Sequence, residues 1–187
     1  AFAFIKKVNT GGEFMTDVDK QRILTVAEGN WLLDDKIMPV LSKNEVDNLL
    51  IERGTLTTTE RQIINHHIVA TIAMLSKINF PKHLQHVVEY AGGHHERMDG
   101  RGYPNGLRRD QMPIQARAMA IADIFEALTA GDRPYKPAKP LSQALSILRR
   151  MKEDNHIDPD LYDAFVNQKV YLQYARKFLS PSQIDVD

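Results

Sequence analysis

"GGHHERMDGRGYPNGL", residues 92–107, sets two adjacent histidines, two acids, two arginines and five glycines within sixteen positions. The glycines and Pro104 disfavour a helix here. The side chains between them are of the kinds that hold metals and phosphates. Outside this stretch the pattern is helical nearly throughout, with no convincing alternating strand, so the chain reads as an all-α fold. "MTDVDKQRILTVAEGN" starts at a Thr16 N-cap and stops at Gly29. "SKNEVDNLL" opens with a capping box, Ser42 with Glu45, and Thr57 with Glu60 opens another before the helix that runs to about residue 78. Pro81 and Pro113 each suit a first helical position, and the helix after Pro113 ends at Gly131. Two further helices are expected, over about 141–153 and 159–178.

Composition narrows the function classes. The 187 residues carry 24 Lys+Arg against 24 Asp+Glu, a formal net charge of zero, which argues against bulk binding to nucleic acid or membrane surfaces. There is no cysteine, which excludes disulfides and thiolate metal sites and suits a reducing cytoplasm. No apolar run approaches the roughly 18 residues of a membrane span.

Three polar groups fall on expected inward faces. His67 shares a face with Ile63, Ile64, Thr71, Met74, Leu75 and Ile78, while His66 is rotated away from it. A lone histidine on such a face is more often a satisfied core residue than a ligand. The face Leu84, Val87, Val88 and Ala91 continues onto His94 and His95, with His83 and His86 towards the solvated flank. Asp123 shares a stripe with Ala116, Ala120 and Ala127, where a carboxylate must be neutralised or bind a cation. A buried salt bridge to Arg117 and a metal-ligand role account for it equally well. Taken together, imidazoles and a carboxylate from three helices suit a hard or borderline metal held in a bundle. The loop with Gly100, Gly102, Pro104 and Gly106 can approach a ligand closely, and Tyr103 can stack or hydrogen-bond there. "DRPYKPAK" offers Arg133, Lys136 and Lys139 to phosphate oxygens, or else a solvated basic loop.

"HHERMDGRGYPNGL" resembles the motif that names the HD-GYP domains, a bacterial branch of the HD metal-dependent phosphohydrolases. "GTLTTTERQIINHHIVATIAML" is similar to the family's preceding helix with its metal histidine. "ARAMAIADIFEALTAGDRPYKPAKPLSQAL" is similar to the helix bearing the metal aspartate and the loop after it, and "NHIDPDLYDAF" to the closing segment; coverage is about residues 54–166. The resemblance implies an HD-domain-like helical bundle and a site of two or more divalent metal ions, iron or manganese. It implies hydrolysis of cyclic di-GMP to pGpG or GMP in signal transduction. It makes His67, His94, His95 and Asp123 catalytic metal ligands, places Tyr103 at the substrate pocket, and puts Arg133 and Lys136 on a phosphate. An upstream sensor or response-regulator receiver region fits this picture, and a homodimer is compatible with it.

One departure matters. The family supplies a further histidine and a His-Asp pair upstream, whereas here no histidine precedes His66 and no His-Asp pair occurs. "WLLDDKIMP", with Asp34, Asp35 and Lys36, is a poor substitute, because it follows the Gly29 helix stop and lies at the wrong distance from His67. The expectation is that Ala1 begins after the missing helices. Residues 1–44 are then an insertion or the tail of an upstream part, and 45–187 form the HD-GYP-like domain. Residues 1–187 alone should bind metal weakly and hydrolyse little. The rival readings are a catalytically degenerate module that binds cyclic di-GMP or a protein, and an HD nucleotide phosphohydrolase of other specificity.

Overall fold

The structure, a computed structural model, describes residues 1–9, 15–33, 35–52, 54, 56–131 and 138–186. Arg133 and Lys136 lie outside the described residues, as does Asp34. The chain forms two compact units, Ala1–Ile64 and Asn65–Asp187.

The first unit holds α1 (Phe2–Asn9), α2 (Asp17–Ala27), a hairpin of β1 (Asn30–Leu33) and β2 (Lys36–Pro39), α3 (Lys43–Leu49) and the first turns of α4 (Thr58–Leu75). Local chemistry accounts for its helix starts. The Thr16 hydroxyl oxygen accepts from the Asp19 N–H, and Ser42 and Glu45 form the reciprocal box, as do Thr57 and Glu60. Each cap stabilises its helix by about 1 kcal/mol. α2 packs on α3, burying Ile23 and Leu49, and Lys20 pairs with Glu52 at 2.5 Å. The hairpin corrects the expectation of helix and loop alone. Leu33 pairs with Lys36, and Asp35 just before that lysine takes a left-handed φ of 59°, backbone common in tight hairpins. Its strands hide no continuous apolar face, since Trp31, Leu32, Ile37 and Met38 are all exposed. That is why alternation did not betray them.

The second unit contains the rest of α4, α5 (Val87–Gly92), α6 (Ile114–Thr129), α7 (Leu141–Glu153), α8 (Pro159–Asn167) and α9 (Val170–Phe178). α6 is its central element and touches α5, α7 and α8. One face carries Ile121 and Phe125 into the main core with Leu141, Leu148, Ile157 and Leu172. The other puts Ala116 against Met98 and Met112. Small residues on one face and large ones on the other let α6 pack on both sides at normal interior density.

Two helix expectations change. The segment over 159–178 is two helices, because Lys169 takes a left-handed φ of 51° that turns Tyr171, Leu172 and Ala175 into the core. The helix after Pro81 is a short 3₁₀ turn, Lys82–Leu84, followed by α5, which ends before the histidine pair. No helix among the described residues is long and apolar enough to cross a membrane.

Candidate metal centre

His94 and His95 project from the turn that follows α5 instead of extending the helix. What brings them close to α4 and α6 is the absence of side chains at the two preceding positions. A Cβ on Gly92 would lie 2.9 Å from the Ile72 side chain of α4, and one on Gly93 would lie 3.0 Å from the Ala116 Cβ of α6. Any larger residue pushes the turn away from both helices.

The ring nitrogens then converge. The Nε2 atoms of His95 and His67 face each other at 3.1 Å, with ring centroids 5.0 Å apart and nearly perpendicular. The His94 and His95 rings lie 4.1 Å apart. Among the described residues, His67, His94 and His95 form the group whose candidate ligand atoms all lie within 4.8 Å of one another. His94 Nδ1–H donates to the Ala91 carbonyl at 2.6 Å. That bond leaves Nε2 as the basic nitrogen and orients the ring for a ligand role.

The donor set fits a divalent ion. Two nitrogens bound to one ion at about 2.1 Å lie about 3.0 Å apart at a right angle and about 3.4 Å apart at the tetrahedral angle. The 3.1 Å between His67 and His95 falls inside that span. Burial foremost, then the neighbouring His94 ring, hold the His95 imidazole down at about 4 against the opposing Asp123 carboxylate, and His67 adds a smaller lowering. At neutral pH the ring is therefore uncharged, as a metal ligand must be.

Asp123 reaches this neighbourhood from α6. Its charge acts on His95, and together with the larger effect of burial it pushes the Tyr103 phenol upward. It is not one of the three-histidine group. Its setting differs from the expected buried stripe. Ala116 and Ala120 are buried, but Asp123 lies further along the same face and is exposed. Water solvates the carboxylate there, so no buried charge demands neutralisation. Arg117, the alternative partner, pairs with Asp158 instead. The face of α4 is likewise open, with Ile63, Ile64 and Met74 exposed and Ile68 the buried residue, and Ile78, beyond the helix end, is exposed too. His67 is exposed as well.

Tyr103 stacks on His95, centroids 4.9 Å apart and planes 22° off parallel. Its N–H donates to the His95 carbonyl at 3.2 Å. His83 and His86 are exposed, and His86 is occupied with Glu89 at 3.0 Å. Sequence reasoning missed the ion network behind the site. Asp158, fully buried, takes Arg109 at 2.9 Å and Arg117 at 2.5 Å, and its Oδ1 accepts from the N–H groups of Asp160 and Leu161 to cap α8. Its cap-then-proline pattern was visible in the sequence; its arginine partners, 41 and 49 residues away, were not.

The HD domain family model matches residues 43–161. The chain belongs to the HD-domain family, in its HD-GYP branch. This HD-GYP chain is 34% identical over 150 residues to a 3'3'-cGAMP-specific phosphodiesterase 3 of Vibrio cholerae, covering 79% of the chain and 31% of that protein. It is 38% identical to a cyclic di-GMP phosphodiesterase of Thermotoga maritima, covering 64% of the chain and 32% of the relative. To the cyclic di-GMP phosphodiesterase response regulator RpfG of Xanthomonas campestris it is 35% identical, covering 68% and 33%. The chain thus spans about a third of the length of these curated relatives. HD domains are metal-dependent phosphohydrolases, and the three histidines are a group that could hold a divalent metal ion.

Proposed function

We propose that this chain carries part of the active site of a metal-dependent phosphodiesterase that opens the 3',5'-phosphodiester bonds of cyclic di-GMP, giving pGpG and then GMP. The convergence of His67, His94 and His95, with the Tyr103 ring stacked on His95, carries the reading. Relatives named for cyclic di-GMP and for 3'3'-cGAMP support a cyclic dinucleotide as the substrate class. We assign His67, His94, His95 and Asp123 as ligands for iron or manganese. Such ions, when bound, activate a water for in-line attack and stabilise charge on the phosphoryl oxygens.

The chain's own residues do the rest. His94 holds its tautomer through Ala91, and His95 stays neutral at working pH. Tyr103 offers an aromatic wall to the dinucleotide, and Arg133 and Lys136 are assigned to a substrate phosphate by their motif. We assign residues 1–44, helical apart from the β1–β2 hairpin, to an N-terminal segment and 45–187 to the HD-GYP domain. We place it in the cytoplasm, a reading that the cysteine-free composition suits. The response-regulator name of one relative favours a receiver region as partner; a homodimer fits the same reading.

Calorimetric titration of the manganese-loaded chain with cyclic di-GMP tests this. Arg133→Ala should weaken binding by about 1.5–3 kcal/mol, the scale of a charge-assisted hydrogen bond, and leave metal content unchanged. Asp123→Ala should strip metal first. Residues 1–187 alone should turn over little, because the family's upstream His-Asp ligands are absent from them. Failure of the metal-loaded chain to bind any cyclic dinucleotide would sink the reading. Rapid hydrolysis by it would show that no further ligands are needed.

A further inference from the structure

Glu96 directly follows the two histidines, where an acid reads as a further metal ligand. The structure turns it the other way. It is 1% exposed, and its carboxylate lies inside the turn that Tyr103 belongs to. One oxygen accepts from the Asn105 N–H at 2.7 Å and the other from the Leu107 N–H at 2.9 Å. Both oxygens are thereby engaged with backbone amides of the opposite limb of the loop. Removing the carboxylate takes the acceptor from two backbone amides, and an aliphatic replacement supplies none.

A second contact presses the same turn onto the same residue. A Cβ on Gly102 would fall 2.4 Å from Glu96 Cα, a distance no side chain can occupy. Tyr103 sits between these two restraints. Gly102 is packed against the Glu96 backbone on one side, Asn105 is held by the Glu96 carboxylate on the other, and the Tyr103 N–H donates to the His95 carbonyl. These contacts set the backbone from which the Tyr103 ring projects, and the ring lies on His95.

We propose that Glu96 is a positioning residue: its buried carboxylate clamps the 102–107 turn so that Tyr103 is held against His95 as one wall of the dinucleotide site. The dinucleotide half of this statement rests on the function proposed above; the clamp itself does not.

The test compares the full chain, as wild type, Glu96→Gln and Glu96→Ala, in three measurements. In hydrogen exchange, the Asn105 and Leu107 amides should exchange about tenfold or more faster in Glu96→Ala, with the α6 amides unchanged, as expected for local opening. Glu96→Gln keeps one acceptor and should fall between. In manganese titration, Glu96→Gln should bind within about twofold of wild type, because an imidazole set supplies the ligands. In cyclic di-GMP binding, Glu96→Ala should lose about tenfold, and adding Tyr103→Ala should lose little more, because residues acting as a unit are non-additive.

Wild-type exchange at Asn105 and Leu107 in Glu96→Gln overturns the clamp and does not require the alanine variant to fold. Loss of metal in that variant makes Glu96 a ligand and overturns the proposal equally. Additive losses in the double variant overturn the role through Tyr103. If wild type binds no cyclic dinucleotide, the dinucleotide half falls with the functional reading, and the first two measurements still decide the clamp.

Discussion

At the scale of single residues, the site depends on which nitrogen or oxygen is free to act. His94 is tied through Nδ1 to Ala91, His95 is kept uncharged by burial, and His67 meets it across 3.1 Å. Replacing His95 with alanine should lower manganese or cobalt affinity by on the order of 100-fold, since even loss of a supporting partner of a ligand costs 10–100-fold. Replacing exposed His83 should change nothing measurable. A visible-absorption titration with cobalt compares the two, and equal affinities would remove His95 from the ligand set. The chemical types of these residues were legible in the sequence. That Asp123 stands in water and Glu96 is enclosed was not: Asp123 lies between Ala122 and Ile124 and Glu96 between His95 and Arg97, the reverse of what neighbours alone would suggest, and only packing separates them.

At the scale of elements, the sequence announces starts better than continuations. Caps at Thr16, Ser42 and Thr57 and the Asp158–Pro159 start stand where their side chains require, and Pro113 sits at the N-cap, one position before the expected first helical residue. These interactions span two or three residues and need no tertiary context. The break at Lys169 has no glycine or proline to mark it; the core selects it by drawing Tyr171 and Leu172 inward. The Asp158 network joins the α8 cap to α6 and to the loop after the histidines. Asp158→Ala should destabilise the second unit by about 3–5 kcal/mol, because Arg117 keeps its charge in a largely buried place without a partner. Asp158→Asn should cost less, since it retains the cap. Urea unfolding of both variants measures the difference, and equal midpoints would show that the charge pairing alone matters and the cap adds nothing.

At the scale of the whole molecule, zero net charge leaves specific ion pairs to govern stability against pH. The Arg97 guanidinium holds the Asp99 carboxyl down at about 2 against an ordinary 3.8, burial opposes, and the Arg101 N–H adds to the lowering. For Asp158, burial pushes upward most strongly, yet Arg109, the Leu161 N–H and Arg117 together bring it below the ordinary range. A depressed folded-state value means stability that is present above about pH 4 and lost as the pH falls towards 2. The melting temperature should therefore drop across that window, and Asp99→Asn should flatten the drop. An unchanged slope in that variant would assign acid sensitivity elsewhere.

By itself, the sequence determined the all-α class, most helix starts, the metal-type side chains and the family, because these rest on local spacing and on residue identity. Tertiary structure alone decided which groups meet. Glycines at 92 and 93 admit the histidine pair between α4 and α6, Tyr103 comes to rest on His95, and Arg117 chooses Asp158 over Asp123. It also placed a hairpin at 30–39 and left the expected inward face of α4 exposed. The physical reason is common to these cases. Helical periodicity states which residues share a face, but whether that face meets core, ligand or water depends on what other segments bring to it.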